Sequence, residues 1–462
     1  MPIDTMAHRA PRAPMNFLLG GCATALLMFA FAVPAAFAQK IFAPQAELNT
    51  NAQTDSGDDI FVQMATDFEG TWIAIWNSTD PLDGTLESED NVLFARSVDN
   101  GDTWSPPAAL SDNTEVDAQS QLNSPHIATD GRGAWIVVWS ARGRFGTDLD
   151  ILAAQSTDNG ETWTEPVFVN SNARIDFDTD SNPRIATDRL GRWMTVWSGQ
   201  NDDNDDVTYY ARSKDNGAHW TKRRSPGSGG GDELGIFADV AVDERKNWIV
   251  VWSEEFANES QFGGDFEIVA ARTSNFGTTW SGPQVLNSDA TTDVSTDHDF
   301  TVRIASAGKA KFVAVWMRRI VGIGIEGGEV ILACGSTDAG ASWSSPVKLD
   351  IADINVQNLV GFPQVASDGR KTFSVVWHHH RRLPSPTPDR FDVFISTSSD
   401  TGLTWTSPLQ VNRDADRESG ANGLPDITTD RGNRSIVTWS SNVVLRSRDA
   451  VSDLDIHYAP DF

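Results

Sequence analysis

The chain has 462 residues, with 36 Lys and Arg against 64 Asp and Glu, giving a formal net charge of −28 at pH 7. Such a charge favours solubility and argues against nucleic acid or an anionic membrane surface as a partner, because both repel a polyanion. With two cysteines, Cys22 and Cys334, a disulfide framework is excluded.

The first predicted element is a leader. Arg9 and Arg12 precede an apolar run from Phe17 to Val33, followed by Ala36-Phe37-Ala38. A basic region, an apolar core and a small-x-small site predict cleavage after Ala38 and export, secreted or periplasmic; an uncleaved anchor is the alternative. Residues 39–462 then read as one domain, with no membrane contact after cleavage and a monomeric state expected. Cleavage would remove Cys22 and leave Cys334, on a predicted strand, as a buried thiol.

Two repeats organise the mature chain. Six turns carry a hydroxyl residue, an Asp or Asn two later, then Gly and Trp: Ser97 to Trp104, Ser156 to Trp163, Ser213 to Trp220, Thr273 to Trp280, Ser336 to Trp343 and Thr397 to Trp405. The second repeat occurs seven times: a strand with a small residue, a tight turn, and a strand ending in Trp76, Trp139, Trp197, Trp252, Trp316, Trp377 or Trp439. All 17 Trp fall in one repeat or the other, so the aromatic content serves architecture. A period of roughly sixty residues suits one four-stranded sheet with its loops. The Trp strands, such as Trp135-Ile136-Val137-Val138-Trp139, lack apolar/polar alternation, as expected when both faces are covered.

The fold class is therefore all-β, a seven-bladed propeller of four-stranded antiparallel blades, with six blades as the minority reading. The last unit lacks a turn repeat and stops at Asp455 to Ala459, while an orphan strand, Pro44 to Asn49, opens the mature chain. Pairing these ends would close the ring and leave no free edge.

Candidate site residues follow from this geometry. Loops between second and third strands, and between blades, are long and all different, so function is placed on their face, opposite the repeated turns. Equivalent positions near the start of each inner strand hold Gln63, His126, Arg184, Asp239, Arg303, Gln364 and Asp426. A position that varies among otherwise matched repeats suits recognition of one asymmetric ligand, or lines a water-filled channel. A second series, Asn91, Asp150, Asp206, Glu267, Glu329, Asp392 and Asp455, precedes each third strand. These could serve as acid or base if buried, with most expected as exposed loop caps. No cofactor is required by this reading, although Asp176, Asp178 and Asp180 present oxygen donors at alternate positions that suit calcium. His378-His379-His380 is a weaker sign of a transition metal.

The Ser-x-Asp-x-Gly-x-Thr-Trp boxes and propeller units resemble the bacterial sialidase superfamily of Asp-box propellers, over nearly the whole mature chain. The resemblance implies three Arg clamping a substrate carboxylate, a Tyr nucleophile paired with Glu, and an Asp acid/base. Arg184 and Arg303 would supply two clamp positions, with Arg142, Arg144, Arg318, Arg381 and Arg382 as candidates for the third. Tyr458 is the candidate nucleophile, Asp239 and Asp426 the candidate carboxylates, and His126, Gln63 and Gln364 further substrate contacts. The family's first Arg motif is absent, since no Arg occurs from Gln39 to Phe61. The expected function is recognition of an extracellular glycan or glycoconjugate, with exo-sialidase-type hydrolysis of a terminal acidic sugar, or alternatively non-catalytic carbohydrate or protein binding.

Overall fold

A computed structural model describes residues 40–462 except 53, 56, 83–90, 111–123, 143–147, 174–177, 202–204, 228–233, 256–264, 288–296, 321–327, 350–357, 382–389, 413–421, 443–453 and 462. The leader thus lies outside the described residues. Residues Gln39–Phe462 form one compact unit.

Seven antiparallel sheets follow one another as blades. Their inner strands are Asp59–Thr66, His126–Thr129, Ser181–Thr187, Leu234–Val242, His298–Ala307, Asn358–Ser367 and Asn422–Thr429. In blade 1 the remaining strands are Trp72–Ser78, Asn91–Ser97 and Ala108–Ala109, and the other blades repeat this order. Blade 3 reduces its outermost strand to a single bridge between Tyr210 and Arg224.

The seventh blade takes its outer strand from the other end of the chain. Ala46–Glu47 pairs with Asp455–Pro460, placing Ala46 opposite Tyr458. Leu48 N–H donates to the Ile456 carbonyl at 2.7 Å and Ala43 N–H to that of Pro460 at 2.8 Å. Closure satisfies backbone groups that an open edge would expose.

Every second strand is buried along its whole central length; Trp72–Ser78 and Ser435–Ser441 have no exposed residue. The cause is packing on both faces: seven hydrophobic clusters occur, each shared by two adjacent blades. One joins Trp72 and Trp76 of blade 1 to Ile436, Ile456 and Tyr458 of blade 7. Another joins Ile73 and Ile75 to Trp135 and Trp139 of blade 2. At roughly 1.5–3 kcal/mol per fully buried large apolar side chain, these seams are the main term holding the ring. Cys334 lies within one of them as a buried free thiol, its pKa raised by burial.

The repeated turns brace the seams on the outside. Ser97 Oγ donates to Asp99 Oδ1 at 2.8 Å and accepts Gly101 N–H at 2.9 Å, while Asp99 Oδ1 accepts Thr103 N–H at 2.9 Å. Hydrogen bonding, first by the Thr103 hydroxyl, holds the Asp99 carboxyl at about 2. Asn100 and Gly101 both have positive φ, 67° and 83°. Two successive left-handed residues suit a tight hairpin, and the Asn100 side chain accepts the Trp72 indole N–H at 2.9 Å.

Candidate functional site

The inner strands carry an irregularity that the repeat pattern did not announce. In six blades the pairing of first and second strands shifts register just before the varying position, between Ile60 and Gln63 for example. The residue two before that position has positive φ in all seven blades: Phe61, Ser124, Asn182, Phe237, Thr301, Phe362 and Leu424. None is Gly, and for bulky or β-branched residues this region is costly. Four of the seven are followed by Pro (Pro125, Pro183, Pro363, Pro425), a residue that sheets confine to edges and bulges. That was the available sequence signal for the bulge.

Each bulge turns its residue toward the axis, where a pocket of about 70 Å³ forms. It is lined by Phe61, Phe237, Phe362 and Leu424 together with Gln63, Arg184, Arg303 and Gln364, among others. These bulge residues lie upstream of the varying positions, hence toward the long-loop end of the axis.

The seven varying positions divide into two roles. Three tie adjacent blades: His126 Nδ1 accepts the Ile185 N–H at 3.2 Å, Asp239 Oδ2 that of Ile304 at 2.9 Å, and Asp426 Oδ2 that of Met64 at 2.8 Å. The others turn to the pocket. Gln63 Nε2 donates to the Val62 carbonyl at 2.9 Å, Arg184 Nη1 to that of Pro183 at 3.1 Å, and Arg303 Nη1 to that of Val302 at 2.8 Å, while Gln364 lines the wall.

The two arginines are the chemical centre. They are 7% and 8% exposed, and the Nε of each is buried without a hydrogen-bond partner. Among the described residues no carboxylate forms a salt bridge with either; Asp239 and Asp426 act on them only at longer range. Burial lowers the pKa of Arg184, and burial with the charge of Arg184 lowers that of Arg303 to about 9. Burial raises Asp239 and brings Asp426 up to about 7. His126 is pushed well below its usual value by burial and by both arginines, so it is a neutral imidazole at physiological pH. The net effect is an axial wall with positive charge turned inward and strongly desolvated.

Other candidates fall elsewhere. Tyr458 is not on the pocket wall: its hydroxyl donates to the Asp102 carbonyl at 3.4 Å, beside Trp104, in the turn repeat of blade 1. Tyr210 donates to the Gly277 carbonyl at 2.8 Å, and Tyr209 lies under the Arg223 guanidinium at 4.4 Å. Arg318 is committed to Asp299 through two bonds of 2.8 and 2.7 Å, which removes it as a third clamp. Arg144 and Arg382 lie outside the described residues, and Arg142 is exposed.

Asp176 likewise lies outside the described residues. Asp178 accepts a bond from Arg223 at 3.4 Å, and Asp180 accepts the Trp197 indole N–H and the Asn170 amide, each at 2.7 Å. A guanidinium therefore already supplies the positive charge there. The histidines separate along the strand: His380 stacks on Phe391 at 4.1 Å, while His379 is buried against Phe394.

The series before each third strand corrects an expectation. Asn91, Asp150, Glu267, Asp392 and Asp455 are buried; they are not exposed caps. The reason is an Asn at the end of the outer strand. Asn170 donates to Asp150 at 2.7 Å and accepts the Ile151 N–H at 3.0 Å. Asn49 does the same for Asp455 at 2.9 Å and Ile456 N–H at 3.1 Å, and Asn412 for Asp392 and Val393. These carboxylates anchor the end of the outer strand to the third strand of their own blade, while Asn170 and Asn49 also reach Asp180 and Asp59 of the next blade, each at 2.7 Å.

No protein-family model matches the sequence, and a comparison with curated proteins gives no match. The fold is similar to that of a protein of unknown function from Dyadobacter fermentans, at a TM-score of 0.51 with 11% identity over 91% of this chain and 98% of that one. It is similar to a polysaccharide lyase, an ulvan lyase, at a TM-score of 0.53 with 11% identity, covering 91% and 95%. The NanB sialidase from Streptococcus pneumoniae aligns at a TM-score of 0.45 with 10% identity over 92% and 98%. At these identities the likeness is one of fold: the chain is a seven-bladed β-propeller.

Proposed function

We propose that this protein is an exported propeller that recognises an extracellular acidic glycan, seating the carboxylate of a terminal sugar in the axial pocket against Arg184 and Arg303. One observation carries the reading: two buried guanidiniums with orphaned Nε atoms and no salt-bridge partner among the described residues face one pocket. A guanidinium offers parallel N–H donors that match a carboxylate, and a buried donor without a partner costs roughly 1–3 kcal/mol until an acceptor arrives. Volume decides what enters. About 70 Å³ admits a carboxylate with a water or two, so the sugar ring would rest at the mouth on Phe237, Phe362 and Leu424. The basic and apolar leader supports an extracellular ligand, and the net charge of −28 makes the local positive wall the place where an anion can dock.

Binding is favoured over turnover because no Tyr, Glu or Asp lines the described pocket. Hydrolysis of the exo-sialidase type is kept as a second reading by one observation, the Asp426 carboxyl, which burial brings to about 7 and so within range of general acid work. An array of glycans ending in sialic or uronic acid, read beside turnover of a fluorogenic sialoside, tests both. Acid-dependent binding that falls about 10- to 100-fold in Arg184→Ala and Arg303→Ala supports the proposal. Equal binding to neutral glycans, or no loss in either variant, would overturn it; turnover abolished by Asp426→Asn would establish the second reading.

A further inference from the structure

The axial pocket holds little beyond a carboxylate, so the rest of a glycan has to lie outside it, and blade 6 is built differently there. Its inner and second strands pair two rows further toward the long-loop end than those of blades 1 and 7. The row of Val360 and His379 corresponds to that of Asp59 and Ser78 and that of Asn422 and Ser441, where pairing stops; in blade 6 the rows of Leu359 with His380 and Asn358 with Arg381 continue beyond it. This sheet therefore stands above the rim of the pocket.

Residues leading onto the extension break the repeat. The position after the second strand's last Trp is Ser140, Ser198, Ser253 or Ser440 in four blades and Asn77 in a fifth, whereas blade 5 has Met317 and blade 6 has His378. The residue paired with His378 is Gly361, where a Cβ would fall 3.2 Å from the imidazole Nε2. From the pocket the rings then follow one another outward. Phe362, on the pocket wall and 43% exposed, has its ring centroid 5.4 Å from that of His378; Phe391 follows at 6.5 Å, and His380 stacks on Phe391 at 4.1 Å with planes 2° apart. His378, His380 and Phe391 are all partly exposed. Burial brings His378 down to about 4, so it is a neutral ring at physiological pH.

These rings have the chemistry of a sugar platform. Flat aromatic faces match the C–H face of a sugar ring, and imidazole nitrogens at their edges can exchange hydrogen bonds with its hydroxyls. The steps of 5.4 and 6.5 Å are comparable with the spacing of successive rings in a glycan.

We propose that Phe362, His378, Phe391 and His380 form an outer subsite over blade 6 for the inner sugars of an acidic oligosaccharide whose terminal carboxylate occupies the axial pocket. The inference rests on the axial reading above and adds to it a direction, outward over blade 6, and a preference for chains over single sugars.

The test measures dissociation constants by calorimetry, on the full mature chain, for the methyl glycosides of sialic and glucuronic acid and for trisaccharides ending in the same acids. The trisaccharide is expected to bind at least about fivefold more tightly than the single sugar. Phe391→Ala should bring that ratio to about one. Arg184→Ala should weaken both ligands, and Leu403→Ala, at an exposed position on a repeated turn of the opposite face, should keep the ratio. Phe391→Leu retains apolar bulk without the flat ring, and it decides if the alanine variant does not fold. A ratio near one in the unaltered chain would overturn the subsite and leave the axial reading standing, as would a ratio retained in the Phe391 variants or lost in Leu403→Ala. If the single sugars do not bind, the axial reading fails and the trisaccharide decides alone: binding lost in the Phe391 variants upholds the subsite, and binding retained there, or none at all, overturns it.

Discussion

The carboxylate of Asp426 accepts the backbone N–H of Met64 at 2.8 Å, a bond between the last blade and the first across 362 positions of sequence. Asp239 makes the same bond to Ile304 between blades 4 and 5. Three of the seven positions of the axial ring, His126, Asp239 and Asp426, are thereby spent on joining blades, and the other four are released to face the pocket.

This bond carries a pH signature. Burial raises the folded-state pKa of Asp426 to about 7, above its unfolded value, so its contribution to stability is complete below the unfolded pKa and is lost as pH rises toward 7. Asp426→Asn removes the titrating group and keeps an acceptor for Met64. The difference in unfolding free energy between native chain and variant should change by up to about 1.4 kcal/mol per pH unit between pH 4 and 7, in favour of the variant as pH rises. A flat difference across that window, by denaturant titration at each pH, would contradict the assignment.

Arg303 is expected to oppose stability while serving binding. Its guanidinium is buried beside Arg184 with Nε unpartnered, and replacing a buried charge of that kind by a neutral group of similar shape is commonly stabilising by about 1–4 kcal/mol. Arg303→Gln should therefore raise Tm by about 1–4 °C, given the entropy of unfolding of a ring this long, and weaken acidic-glycan binding. A lowered Tm would mean that the charge is structurally paired.

How much of this was legible in the sequence depends on what repeats. The blade count, the closure by the N-terminal strand and the burial of the Trp strands followed from periodic residues, because seven copies of Trp76 and its equivalents report one shared environment. Arg184 and Arg303 were visible as departures from a repeat, and they do line the pocket. Their partition from His126, Asp239 and Asp426 was not legible, since it depends on which side chain reaches the next blade's amide. Tyr458 could be placed on a strand but not at a height along the axis, and it stands by Asp102 instead of the pocket. The Asn170 and Asn49 ties were not legible because each joins two blades, whereas a repeat reports only the environment within one.

The positive-φ ring at the pocket gives a further expectation. Thr301 has φ +56° and is β-branched, whereas the equivalent residue of blade 3 is Asn182, a type that tolerates this region. Thr301→Asn should be neutral or stabilising by about 0.5–1 kcal/mol, and Asn182→Thr destabilising by at least as much, since it also loses the bond from Ser124 at 3.2 Å. Equal destabilisation by both, measured by denaturant midpoint, would show that packing outweighs backbone strain at the mouth.

The repeated turns hold the seams by close approach as well as by hydrogen bonds. A Cβ on Gly160 would fall 2.2 Å from Ile73 Cδ1 of blade 1, and one on Gly101 equally close to Ile436 of blade 7, so the closing seam has the geometry of an internal one. Gly160 also has φ +79°. Gly160→Ala should cost the left-handed penalty of about 1–2 kcal/mol plus overpacking of about 1–3. Gly369 separates the two terms, because it has φ +70° and nothing within 4 Å of the added atom, so Gly369→Ala reports backbone strain alone. Ile73→Val deletes the clashing methyl, and in the double variant Gly160→Ala should fall to the cost of Gly369→Ala, a coupling of at least about 1 kcal/mol in a double-mutant cycle. An additive cycle would mean that Ile73 turns aside freely and that the turn glycine serves conformation only.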